Sequence, residues 1–77
     1  MRILSQNRDF SFEFENTVFW MQDCYIYAKV DTTSQLIGKY ESAQRAREVF
    51  MNMHNKYEEI TRPEHVLDSK VFCLPED

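Results

Sequence analysis

The hydrophobic rhythm of this chain changes once, sharply, near its middle. Up to Tyr40 apolar residues recur mainly at every second position; after Ser42 they recur at every third or fourth. The first period belongs to strands with one face buried, the second to an amphipathic helix. "RILSQ" is a short strand that "NRD" ends. "FSFEFE" sets Phe10, Phe12 and Phe14 against Ser11, Glu13 and Glu15. Asn16 interrupts this, as a bulge or a turn, and "TVFWMQ" resumes with apolar residues on both sides. "QD" serves as a tight turn, although it lacks the glycine that favoured hairpin turns carry. "CYIYAKV" then sets Cys24, Ile26, Ala28 and Val30 against Tyr25, Tyr27 and Lys29. "DTTS" has the length of a hairpin loop, and "QLIGKY" is the next strand. Gly38 within it suggests a place where another side chain needs room.

Ser42 fits a helix N-cap, because its hydroxyl can accept a bond from a first-turn amide. Behind it Ala43, Ala46, Val49, Phe50, Met53, Tyr57 and Ile60 form one apolar stripe. Early alanines in that stripe allow close approach to a sheet. Arg62-Pro63 sets the latest end of the helix. "RPEHVLDS" reads as a loop, and "VFCLP" as a last short strand. The expected architecture is α+β, in the order β-β-β-β-α-β: an antiparallel sheet of four to five strands, covered on one face by a single helix of about 17 residues. Ala46, Val49, Phe50 and Met53 are expected to meet the sheet, with Ile26 opposite.

Residues 1–77 are expected to form one small domain. The net charge of −4 is carried by the C-terminal part: three basic and seven acidic residues follow Arg47, against six of each from Met1 to Arg47 inclusive. Nucleic-acid binding depends on neutralising phosphates, so this balance makes nucleic acid an unfavoured partner. No run approaches the ~18 apolar residues of a membrane span. Two isolated cysteines without a CxxC spacing fit a reducing compartment, and a cytoplasmic location is expected.

Candidate chemistry is sparse. His54 and His65 have no HxxxH or CxxC partner, so no metal site is expected. Cys73 lacks a neighbouring base, and both Cys24 and Cys73 read as small buried hydrophobes. Glu13 and Glu15 share a strand face, as paired acid–base groups can, but that is also the pattern of a solvated face. No catalytic residue, cofactor or metal is expected. Both arginines near the helix start, Arg45 and Arg47, and Glu58 and Glu59 near its end oppose the helix dipole. Phe19, Met21, Tyr25 and Tyr27 are the candidate interaction surface. If Ile26 and Ala28 face the helix, a second sheet face needs a cover. Either a partner covers it, or the sheet curls and buries these residues itself. The expected function is protein–protein contact, by self-association or as an adaptor. The alternative is single-stranded nucleic-acid binding through the Tyr25 and Tyr27 face, and a small enzyme is a third reading.

Three segments, "MRILSQ", "IGKYESAQRAREVF" and "VFCLPED", resemble a group of short uncharacterised proteins of Gram-positive gut bacteria and their phages or integrated elements. Those chains share the length, a "G-x-Y-x-S-x-x-x-A" strand-to-helix junction and an apolar pair before Pro-Glu. Here "QNRD" stands where such chains often have an Asp-Gly turn, which leaves the form of the first hairpin open. The resemblance implies a complete protein in a bacterial or phage cytoplasmic context. It transfers no functional residue.

Overall fold

Asn16 breaks the alternation because the chain changes sheets there. The computed structural model describes residues 1–60 and 71–76, with only the backbone of Ile60. The expected loop "RPEHVLDS", with His65, lies outside the described residues. Phe14–Asn16 form a turn of 3-10 helix. It separates β1 (Arg2–Leu4) and β2 (Ser11–Glu13) from β3 (Val18–Gln22), β4 (Tyr25–Val30) and β5 (Thr33–Lys39). Helix α1 (Ala43–Ile60) and strand β6 (Val71–Cys73) follow.

The strands form two three-stranded sheets, β2-β1-β6 and β3-β4-β5. This corrects the single antiparallel sheet of four to five strands; the α+β class and the single packed helix stand. Two causes produce the difference. The 3-10 turn redirects the chain after Glu13, so β3 cannot continue the ladder of β2. Strand β6 arrives after a helical crossover, which is what a parallel neighbour requires, and it pairs parallel to β1.

Ser42 caps α1 as expected, accepting at Oγ from the Arg45 amide at 3.1 Å. The helix lies over β3 and β4. Ala46, Val49 and Met53 are buried there with Ile26 and Ala28. Met1, Ile3, Ile37, Tyr40 and Leu74 complete the core and join it to the first sheet. Phe50 and Tyr57 pack only partly buried at its margin, and Ala43 is exposed. The buried seat of the helix is therefore Ala46, Val49 and Met53, with Phe50 and Tyr57 flanking it.

Strand β5 carries a bulge. Ile26 opposes Gly38 and Tyr27 opposes Leu36, so Ile37 is the extra residue. Both Ile37 and Gly38 are buried in consequence. A Cβ on Gly38 would lie 2.9 Å from Leu74 Cδ2 and 3.0 Å from Tyr40 Cε2, so this glycine does provide clearance.

The two sheets meet at the bulge, where the Gln6 amide donates to the Ile37 carbonyl at 2.8 Å. Arg8, at φ 67°, donates from Nη1 to the Leu74 carbonyl at 2.8 Å and to the Ser5 carbonyl at 3.1 Å. Tyr40 donates its hydroxyl to the Pro75 carbonyl at 2.8 Å. The residues after β6 are thus held mainly by bonds to their own main chain.

Candidate interaction surface

A strand's side chains alternate between faces, so register decides which aromatics can act together. In the second sheet Phe19 opposes Ala28 and Met21 opposes Ile26. These four residues face α1, and Phe19 and Met21 pack against the core. Trp20 opposes Tyr27, and Gln22 opposes Tyr25, on the other face. The expected set Phe19, Met21, Tyr25 and Tyr27 is therefore divided between two faces. "TVFWMQ" is apolar on both sides, so alternation alone could not say whether Trp20 or its neighbours accompany the tyrosines. The paired register settles it.

The outer face is built in three rows across the strands. Trp20, Tyr27 and Leu36 form the middle row, with Val18, Lys29 and Ser34 on one side and Gln22, Tyr25 and Lys39 on the other. The Trp20 and Tyr27 rings stack at 5.3 Å between centroids, with planes 15° apart. Tyr25 lies 6.3 Å from Tyr27 in a tilted arrangement. Leu36 is 42% exposed and Val18 64%. The nine positions of these rows hold two lysines and no carboxylate. The acidic balance of the chain lies elsewhere.

Phe14 fills the end of the covered face. Its ring stacks on Tyr57 at 4.3 Å and on Phe19 at 5.5 Å, and meets the His54 ring edge-on at 5.3 Å. His54 Nδ1 lies 2.9 Å from the Phe50 carbonyl, which fits an Nδ1–H donor. That contact and its ring neighbours account for His54.

Glu13 accepts from Arg2 Nη1 at 2.9 Å, and Glu15 lies 3.0 Å from the amino nitrogen of Met1. Glu13 also lies 3.8 Å from that amino nitrogen, so the two carboxylates share the Met1 cation and Glu13 has Arg2 besides. Cys24 is half-buried in the β3–β4 turn, and Cys73 is exposed. The expectation that both are buried needs correction for Cys73. In β6 only Phe72 turns inward, and Val71 and Cys73 point away from the core. Among the described residues no group of three His, Cys, Asp or Glu side chains converges as a metal site, and no helix is long and apolar enough to cross a membrane.

Comparison with protein-family models, curated proteins and solved structures finds no match.

Proposed function

We propose that this chain is a protein-contact module whose working surface is the outer face of β3–β4–β5, and that the face pairs with that of a second copy. The observation carrying this reading is the Trp20–Tyr27–Leu36 row, set on the sheet face opposite the helix. Contiguous exposed apolar surface is what interaction sites characteristically present. Two-fold pairing is the commonest closed assembly.

One pairing axis suits the register better than the other. A two-fold axis along the strands through β4 sets Lys29 against its own copy. An axis across the strands, along the middle row, avoids this. It places Trp20, Tyr27 and Leu36 on their counterparts, Lys29 over Tyr25 of the second copy and Lys39 over Ser34. No like charges then oppose, and a lysine over a tyrosine ring is itself attractive.

Lys29 and Lys39 give a second reading some support, because a basic face with aromatics also suits single-stranded nucleic acid. The ring geometry favours protein contact. Trp20 and Tyr27 each spend a ring face on the other, and base stacking needs such faces free.

Light scattering on the parent and on Leu36→Glu tests the proposal. The parent is expected to double its mass at tens of micromolar, and the variant to remain a single chain of 9.3 kDa. A monomeric parent that retards a labelled single-stranded oligonucleotide would replace this reading with the second one.

A further inference from the structure

A different surface carries a second binding feature. Strand β3 is an edge strand of its sheet. Its two-residue turn to β4 makes Gln22–Tyr25 a hydrogen-bonded pair, and the alternation then assigns Trp20–Tyr27 and Val18–Lys29 to the same class. Phe19 and Met21 therefore aim their main-chain N–H and C=O groups outward, where no strand of the described residues pairs with them.

A groove of about 500 Å³ runs between this edge and the first half of α1. Met21 and Asp23 line it from the sheet side, and Ala43, Arg47, Phe50 and Met51 from the helix. Met51 is 49% exposed and Phe50 partly so. Methionines suit a surface that must adapt to varied side chains. Arg47 is exposed, and no ion pair neutralises it among the described residues. Asp23 sits in the turn at the end of the groove.

We infer that the β3 edge and this groove bind an extended peptide segment of another protein, added as a fourth strand. Main-chain bonds to Phe19 and Met21 supply the register. A peptide residue opposite Met21 points to the helix side of the sheet, because directly paired residues share a face. There it meets Met21, Phe50 and Met51, so it is apolar. Arg47 selects a carboxylate two residues away, the spacing that returns to the same face. Asp23 keeps that carboxylate off the turn end and on the helix side. The occupant is thus an extended segment with an apolar residue and an acidic one at alternate positions. This site is separate from the outer face, so either can fail without the other.

The test uses the full chain and three labelled, end-blocked hexapeptides of alternating leucine and threonine. One carries a glutamate two positions from the central leucine, one carries lysine there, and one has proline at the residue paired with Met21. Anisotropy should show the glutamate peptide binding about tenfold more tightly than the lysine peptide, a modest coupling for one charge pair. The proline peptide should not bind. Arg47→Glu should reverse the preference, and the Phe19 and Met21 amide resonances should shift on titration. Equal binding of all three peptides, no binding by any, or shifts confined to Trp20 and Tyr27 would overturn the inference.

Discussion

The side chain of Gln6 pairs with Lys39 as a neighbouring strand would. Its Oε1 accepts from the Lys39 amide at 2.9 Å, and its Nε2 donates to the Lys39 carbonyl at 3.0 Å. The same Nε2 lies 3.1 Å from the Pro75 carbonyl and 3.2 Å from that of Glu76. One amide therefore continues β5 past the bulge and ties it to the residues following β6. Gln6→Ala removes these bonds together. Water can replace part of them at this partly exposed site, so the expected cost is about 1–2 kcal/mol. Denaturant midpoints, together with faster hydrogen exchange at Lys39, check it. An unchanged midpoint would show that the side chain is incidental to the join.

Gly38→Ala should destabilise by about 1–3 kcal/mol through overpacking. Its added methyl meets Leu74 and Tyr40. Neither yields easily: Leu74 is fully buried, and the Tyr40 hydroxyl is anchored on Pro75. A thermal midpoint equal to that of the parent would contradict the packing described here.

Both hairpin turns of the second sheet begin with an aspartate in the left-handed region, Asp23 at φ 54° and Asp31 at φ 56°. Aspartate tolerates this region better than most residues, and β-branched residues tolerate it poorly. Asp31→Val should cost about 1–2 kcal/mol, and Asp31→Gly should gain about 0.5 kcal/mol once unfolded-chain entropy is counted. Denaturation of the pair gives the order directly. Valine equal to glycine would mean that the turn adopts another form.

Burial ranks the helix positions. Met53 is 1% exposed, whereas Phe50 sits half-buried beside the groove. Met53→Ala should cost about 2–5 kcal/mol, enough to unfold much of so small a domain. Phe50→Ala should cost less than Met53→Ala, although the sequence alone marks the larger side chain as the critical one. Equilibrium unfolding with the two losses in reverse order would place the helix on its other flank.

The helix was legible because its stripe, its serine cap and its early alanines agree. Gly38 was legible because a glycine inside a strand pattern has few other uses. The division into two sheets was not, because a single 3-10 turn at Phe14–Asn16 decides it and Asn16 signals only an interruption. Leu36 and Ile37 are both apolar, so nothing local says which one the bulge turns inward. The same ambiguity at Phe19, Trp20 and Met21 misplaced half of the candidate surface. Tyr25 and Tyr27 were readable because their neighbours Ile26 and Ala28 alternate cleanly. Gln6 gave no signal at all, since its partners lie 33 and about 70 residues away in the chain.

Trp20 is the only tryptophan of the chain and lies in the middle row of the outer face, so its emission reports on that face alone. The direct measurement is the Trp20 emission maximum across a dilution series from about 100 μM to about 0.1 μM, a span that brackets ordinary dimer affinities. Face-to-face pairing predicts a blue-shifted maximum at high concentration that moves to the red on dilution, with Leu36→Glu fixed at the red limit throughout. A maximum that stays constant for the parent and coincides with that of Leu36→Glu would contradict the proposed pairing.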